Sequence, residues 1–472
     1  MPGQPPPIPT LSLVELEALR QVFETHHYNK NFSAQESNKP DNLKMLFGQG
    51  LPVERDQAQQ ALRPLELNAL VKAGLLSKAN DSITAHFHIQ RYDDLIFLSD
   101  FMQWEYHRDF VLPVGPAGNY LALLTIRQPV KSTLDLGCGC GVQSLLAARH
   151  SNRVIATDIN PRALALTRLN AKLNDIHNIE TRQGSYFEPV KEQRFDLIVA
   201  NLPYVITPEK RLVYRTVDEP GDSGVHERLK EIPAYLNESG FAQILINWIH
   251  DTGQDPSEPI RETIEGEGVD AWLIHNGSKP ADEYAEMWLK QQAADDIHTA
   301  EKTRRNWSRW YRDHHIEWIA LGAITLRRRS GNKNWFCSAM VNKTLEDSAA
   351  KQFLRLFAAQ DYLNKIEDTN LLFKEIFVPA DLAFVGNQDH PIAYANYGSQ
   401  LEAGIHPVTK IILQKLDGIT TLERLFRVTD QRQQQEVLAD FRKLLELGMI
   451  APRQFIPSIV QPASDNNPTN WD

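Results

Sequence analysis

Leu134-Asp135-Leu136-Gly137-Cys138-Gly139-Cys140-Gly141 constrains this chain more than any other stretch. Alternate glycines follow the short apolar run Thr133–Leu136 and precede the helix-forming run Val142–Ala148. Glycine reaches backbone angles closed to other residues, so the chain turns tightly and a ligand approaches without a Cβ in the way. The helix that follows offers unpaired N–H groups and the positive end of its dipole. A strand, a glycine turn and a helix in that order belong at the carboxyl edge of an open parallel sheet, where α/β folds bind ligands.

The chain around this turn fits such a sheet. Arg153–Thr157 reads as a second strand, and Pro161 opens a helix running to about Asn174. Proline suits a first helical position because its missing N–H would have had no partner there. Ile179–Gln183, Phe195–Ala200, Phe241–Trp248, Ala271–His275 and Ile316–Leu326 complete seven strands. Strands alternating with helices predict an α/β fold, a mostly parallel seven-stranded Rossmann-like core over 109–335.

Before the core, Leu11, Leu13, Leu16, Leu19 and Phe23 have helical spacing. Residues 56–76 contain one or two more helices, and Ile83–Leu98 forms two extended segments around the turn Arg91-Tyr92-Asp93-Asp94. Helices followed by a ribbon predict a winged-helix-like module over 11–108. Its slightly acidic balance argues against DNA. After the core, helices over Pro407–Leu416, Thr421–Phe426 and Gln433–Leu447 predict a helical or winged module over 336–461. The Pro-rich residues 1–10 and the stretch 462–472 are expected to be tails without fixed structure.

A chain of 472 residues is long enough for two or three domains. Its net charge of −10 argues against a protein that coats nucleic acid with its whole surface. Three cysteines, Cys138, Cys140 and Cys337, are too few for a disulfide framework and suggest a reducing, cytoplasmic compartment. The first residues lack the basic-then-apolar pattern of a secretory signal. No apolar stretch approaches the roughly 20 residues that span a bilayer, so a soluble protein is expected. No metal-ligand spacing is present.

Two further stretches define the expected chemistry. In Val154-Ile155-Ala156-Thr157-Asp158-Ile159-Asn160, Asp158 ends the second strand, where an acid grips ribose hydroxyls. Dinucleotide sites share that acid, but their third glycine is here Val142, and Asp135 before the glycines suits S-adenosylmethionine (SAM) instead. Asn201-Leu202-Pro203-Tyr204 ends the fourth strand and is a form of (Asn/Asp)-x-Pro-(Tyr/Phe/Trp). The Asn201 side-chain oxygen and the Leu202 carbonyl can accept both N–H bonds of an NH₂ group. The Tyr204 ring can stack on a planar target. The turn closed by Pro203 thus suits methyl transfer to a planar amide or amino nitrogen, held in line for attack.

Residues from about 110 to 250 resemble the HemK/PrmC-like, small-domain branch of class I SAM-dependent methyltransferases. The matching stretches are Asp135–Gly141, Thr157–Leu164, Gly184-Ser185-Tyr186-Phe187 and Asn201–Tyr204. The resemblance implies SAM bound by Asp135, Gly137, Gly139, Gly141, Asp158, Asn160, Gly184, Ser185 and Asn201. It implies a catalytic turn of Asn201, Leu202, Pro203 and Tyr204, with Gly115 in a loop at the methionine end. Family members methylate the glutamine amide of release factors or exocyclic amines of nucleic acid bases. The family usually has two prolines where this chain has Leu202-Pro203; Asn-Leu-Pro-Tyr is instead typical of rRNA adenine dimethyltransferases, whose first motif differs. A macromolecular substrate, protein ahead of RNA or DNA, is expected, with a SAM-binding interaction protein as the remaining alternative. Tyr214, Arg215 and Asp222 lie on the long connection after Tyr204 and are expected to touch substrate.

Other conspicuous residues have plainer expectations. Cys138 and Cys140 fill the variable positions of the glycine loop and are expected to be small buried residues. His86 and His88 are expected on one face of a strand without metal. Trp307, Trp310 and Tyr311 share a helical face among Arg304, Arg305, Arg309 and Arg312. That face either stacks on RNA or packs its aromatics inward with arginines in water, and the second is expected. Arg327-Arg328-Arg329 is expected to be solvated.

Overall fold

The computed structural model describes residues 5–25, 41–105, 107–209, 221–290, 297–331, 333–341, 345, 349–366, 368–396, 401–426 and 430–455, leaving the side chains of 297–300 and 455 aside. The chain divides into two compact units. One holds residues up to Ala122 with Arg127–Met340; the other holds Leu123–Ile126 with the residues from Val341 on.

The first unit is built on one sheet. Its strands are β1 (Val130–Leu136), β2 (Ser151–Asp158), β3 (Ile179–Gln183), β4 (Phe195–Ala200), β5 (Leu236–His250), β6 (Val269–Pro280), β7 (Trp318–Arg328) and β8 (Phe336–Met340). Their order across the sheet is β3-β2-β1-β4-β5-β7-β6-β8. β3 through β5 run parallel, β7 is antiparallel to both its neighbours, and β8 lies parallel to β6. The helices that matter for the site are α1 (Pro116–Leu124), α2 (Val142–Ala148), α3 (Pro161–Leu173), α4 (Ser223–Glu231), α5 (Glu258–Ile264), α6 (Ala281–Leu289) and α7 (Ile297–Asp313). The sheet is the mixed α/β, Rossmann-like core that the alternation predicted.

An eighth strand is the main departure. Phe336–Met340 alternates half-buried and exposed residues, so it lacks the apolar run that marks a buried strand. Its position is fixed by Asp270 on β6, which is fully buried and accepts from Trp335 N and Asn334 Nδ2, both at 3.3 Å. The same carboxylate pairs with Arg327 at 2.5 Å and Arg329 at 3.4 Å, and Arg328 donates to Glu267 O at 2.7 Å. The Arg327–Arg329 run, expected in water, is therefore bound into the sheet edge, and the first unit extends to Met340 rather than 335.

In the N-terminal part, a helix (Leu13–Thr25) precedes two short ones (Arg55–Leu62, Leu67–Lys72). Then comes a sheet of Val53–Glu54, Ser82–Ala85 and Leu76–Ala79, and a hairpin of His88–Tyr92 with Leu95–Ser99. Asp93, with φ of 57°, and Asp94 make the hairpin loop, and both bond Arg149. The apolar residues of this part are continuous with those of α2 and α3: Leu19, Phe23, Leu70 and Phe97 share one buried cluster with Leu145, Leu166 and Leu173. Residues 5–10, expected as a free tail, are tied down: Thr10 N donates to Ala73 O at 2.9 Å and Arg162 Nη1 donates to Pro6 O at 2.6 Å. Residues 1–4 and 462–472 lie outside the described residues.

α3 makes the junction specific. Asn170, fully buried, accepts from Leu98 N at 2.8 Å and donates to Leu98 O at 2.9 Å and Cys140 O at 2.8 Å. One turn later Asn174 repeats the pattern on Ile96 N and O at 2.9 and 2.7 Å. The two amides act as a neighbouring strand for the open edge of the hairpin. Arg162 donates to the buried Asp100 through Nε at 3.0 Å and Nη2 at 2.5 Å.

The second unit is mixed rather than mainly helical. Helices Ala350–Leu363, Pro407–Leu413, Leu422–Leu425 and Gln431–Glu446 accompany an antiparallel pair, Phe377–Pro379 with Ile450–Pro452, and a meander of Leu382–Gly386, Pro391–Ala395 and Glu402–Gly404. The three expected helices are present, the first two slightly shorter and the third starting two residues earlier and ending one earlier. The meander escaped notice because its first strand is half-exposed and its last is only three residues long. Among the described residues no helix is long and apolar enough to cross a membrane.

Replacing Asn170 by Ala strands Leu98 N, Leu98 O and Cys140 O away from water. The variant should lose about 2–4 kcal/mol in urea unfolding, the range expected for buried groups left unpaired. A loss under about 0.5 kcal/mol, within the scatter of surface substitutions, would contradict this role.

Candidate functional site

The carboxyl ends of β1, β2 and β4 open on a cavity of about 1190 Å³. The glycine loop forms its floor. Gly137 N and Cys138 N both donate to Thr157 O at 2.9 Å, which binds the loop to the end of β2. Gly139 has φ of 56°, and a Cβ there would meet nothing within 4 Å, so the backbone is bared to the cavity. Gly141 does a different job. It caps α2 with φ of 86°, and a Cβ would lie 2.9 Å from Thr167 on α3. Only glycine lets α2 and α3 approach there, so Gly141 shapes the floor without bordering the cavity.

Asp158 ends β2 and lines the cavity. Its Oδ2 accepts from Gly139 N at 3.0 Å and its Oδ1 from Asn160 N at 2.8 Å. These bonds orient the carboxylate, while burial raises its pKa above the usual carboxylate range. Gly184 and Ser185 border the same cavity, with Gly184 N bonded to Asp158 O at 3.1 Å. Asn160 also borders it, but its side chain caps α3 on Arg162 N at 2.9 Å and donates to Asp109 O at 3.0 Å. Asp135 is buried, and its Oδ2 accepts from Ser144 Oγ at 2.5 Å. Its carboxyl therefore serves the loop's interior, and burial pushes its pKa up to about 7.

Asn201, Leu202, Pro203 and Tyr204 line the cavity at the end of β4. Among the described residues the Asn201 amide makes no hydrogen bond within the protein. Gly115 also lines the cavity, on the segment where Gly118 O accepts from Gln143 Nε2 at 2.8 Å and Val114 O from Gln90 Nε2 at 2.9 Å. Asp222 stands away from the cavity. It accepts from Ile249 N at 2.7 Å and pairs with His226 at 3.0 Å, so it anchors the end of β5. Tyr214 and Arg215 lie outside the described residues.

Cys138 and Cys140 are buried, and burial raises both thiols, Cys140 to about 12, which removes them as nucleophiles. His86 and His88 do not share a strand: His86 lies in the bend between Ser82–Ala85 and His88–Tyr92 and bonds Gly74 O at 3.0 Å, while His88 lines the cavity with its pKa lowered by burial to about 4. No group of three or more metal-ligating side chains occurs among the described residues. Trp307 and Tyr311 are buried and Arg304, Arg305, Arg309 and Arg312 are exposed, so the aromatic face packs inward.

Several lining residues carried no signal in the sequence. Gly48–Gly50, Phe101, Glu105 and Arg108 come from the N-terminal part, and Trp288 from α6. None sits in a motif; they reach the cavity only through the packing of distant segments. Tyr284 and Trp288, one helical turn apart, are the trace that a periodicity search could have found.

The description "methyltransferase small domain" matches residues 117–219. Over 139 residues the chain is 34% identical to the protein assigned as an N5-glutamine methyltransferase in Methanocaldococcus jannaschii, spanning 28% of this chain and 70% of that one. The release factor glutamine methyltransferase of Aquifex aeolicus is 34% identical over 153 residues, 29% of this chain and 51% of its own length. That of Aliivibrio fischeri is 42% identical over 88 residues, 18% of this chain and 31% of its own length. The chain thus spans about a third to a half of these two release factor enzymes. Among solved structures, Trm5b from Pyrococcus abyssi is 18% identical with a TM-score of 0.31, covering 55% of this chain and 67% of that one.

The Asp135 carboxyl yields a pH test. A pKa near 7 in the folded chain, against about 3.9 unfolded, means that the native state holds a proton that the unfolded state releases. That contribution to stability is intact below about pH 4 and is lost as pH rises through about 7. Asp135→Asn removes the titration. Relative to the parent chain, the variant should gain roughly 2–4 kcal/mol between pH 4 and pH 8 in urea unfolding. A difference that does not change with pH would refute it.

Proposed function

Because the chain belongs to the HemK/PrmC-like branch of the class I SAM-dependent methyltransferases, we propose that it moves a methyl group from SAM to the side-chain amide nitrogen of a glutamine in a protein. The chain is an enzyme of the methyltransferase class. The observation that supports the finer reading most is a juxtaposition. The Asn201–Tyr204 turn borders the same cavity as the bared Gly139 backbone and the oriented Asp158 carboxylate.

The residues present suit SAM. Gly139 offers an open cradle, Asp158 would hold the ribose hydroxyls, and Gly184 and Ser185 would flank the nucleoside end. SAM supplies an electrophilic methyl on sulfur. Asn201 Oδ1 and the Leu202 carbonyl would accept the two N–H groups of the target amide, and Tyr204 would stack on its plane. Those acceptors also favour the positive charge that grows on nitrogen during attack. The side chain at Leu202 does not alter this role, since any residue supplies the carbonyl. The proton leaves after transfer, so no base is needed beforehand.

The release factor enzymes among the relatives favour a protein substrate. Nucleobase methylation keeps Asn-Leu-Pro-Tyr as support but loses the basic aromatic face, since Trp307 and Tyr311 are buried and Arg327 is paired with Asp270.

Extract from a strain lacking the gene, incubated with the purified chain and tritiated SAM, should yield label that protease releases and ribonuclease does not. Ribonuclease-sensitive label would overturn the glutamine reading. Asn201→Ala should lower transfer at least 100-fold, in line with a lost acceptor in the reacting geometry, and leave SAM affinity within about 3-fold. Asp158→Ala should weaken SAM binding about 10-fold or more in calorimetry, the loss of charge-assisted bonds, and unchanged affinity would remove its ribose role.

A further inference from the structure

β6 and β7 are antiparallel neighbours. Such neighbours need only a tight hairpin. Here the chain leaves the sheet after Pro280, forms α6 and α7, and returns at Trp318. The sheet itself does not require that excursion. Its buried side chains, Tyr284, Ala285, Trp307 and Tyr311, form a separate apolar cluster with Val205 and Ile206, the two residues that follow Tyr204.

Polar contacts in the cluster converge on one residue. Tyr284 Oη, fully buried, accepts from Ile206 N at 3.2 Å and from Asn247 Nδ2 on β5 at 2.8 Å. Tyr311 Oη donates to Ile206 O at 2.9 Å. Both backbone groups of Ile206 are therefore held by phenols of the excursion, and one phenol is itself braced on the sheet. The Trp288 ring lies 6.4 Å from the Tyr204 ring at 57°, and both rings border the cavity.

We propose that α6 and α7 are part of the acceptor site: Tyr284 and Tyr311 are positioning residues that fix the Asn201–Tyr204 turn through Ile206, and Trp288 is an aromatic wall of the acceptor pocket. This rests on the reading of Asn201–Tyr204 as the turn that receives the nitrogen. The Leu202 carbonyl and the Tyr204 ring are useful only at a set distance from the methyl. A displacement of about 1 Å costs on the order of 100-fold in rate. With Ile206 clamped on both sides, the turn is held between a strand end and a fixed point two residues beyond Tyr204.

Tyr284→Phe and Tyr311→Phe keep the rings and remove one hydroxyl each. In the full chain, either variant should raise amide hydrogen exchange across 201–206 by about 5-fold, the size of one net hydrogen bond. Either should also lower the transfer of tritiated methyl to gene-deleted extract about 10-fold at saturating SAM, with SAM affinity within 2-fold. Trp288→Ala should lose transfer similarly and Trp288→Phe should restore most of it. Wild-type exchange or wild-type transfer in the tyrosine variants overturns the clamp. If Tyr284→Phe does not fold, Tyr311→Phe carries both readouts. Asn201→Ala, assayed beside them, separates the two claims. Full transfer in that variant removes the acceptor turn itself. Its inactivity, beside normal tyrosine variants, removes only the clamp.

Discussion

The buried Asn170 amide ties the glycine loop to the N-terminal hairpin. Two bonds go to Leu98 on the hairpin edge and one to the Cys140 carbonyl within the loop. A buried amide satisfied on all three contacts is rigid, because each alternative leaves a polar group unpaired away from water. Thr167, one turn earlier on α3, donates to Gly139 O at 3.1 Å and occupies the space that a side chain at Gly141 would need. One helix thus sets the loop from below. The cavity's floor follows from α3, and the N-terminal part reaches the cavity because the same helix holds its hairpin.

The site divides into groups already engaged and groups left open. Asp135, Gly141 and Asn160 have side-chain or packing roles inside the protein. Asp158 is held by two backbone N–H groups yet borders the cavity, and the Asn201 side-chain amide has no hydrogen bond among the described residues. A carboxylate oriented by fixed donors and an amide without internal partners are what a ligand-binding edge requires: the first is preorganised, the second is available.

Much of this was legible in the sequence where local chemistry decides the outcome. The strand ends at Leu136, Asp158 and Ala200 followed from apolar runs stopped by glycine, aspartate and asparagine, and Pro161 marked the start of α3. Asp222 misled because a carboxylate on a long connection looks the same whether it meets substrate or, as here, a strand-end N–H. Arg327–Arg329 misled because its partner, Asp270, lies far away in sequence and is buried. β8 and the meander of the second unit are edge-type strands with half-exposed residues, whose pairing is set by neighbours rather than by their own pattern. Trp288 reaches the cavity through tertiary packing, of which its one-turn spacing from Tyr284 is the only trace along the chain.

The central claim is that a sulfonium donor lies across these strand ends with its methyl toward Asn201. Diffraction from crystals of the full chain grown with S-adenosylhomocysteine tests it directly. Ribose hydroxyls on the Asp158 carboxylate, with the sulfur facing the Asn201–Tyr204 turn, are expected. Ligand bound elsewhere, or side chains of the protein filling the space between Gly139 and Asn201, would contradict it.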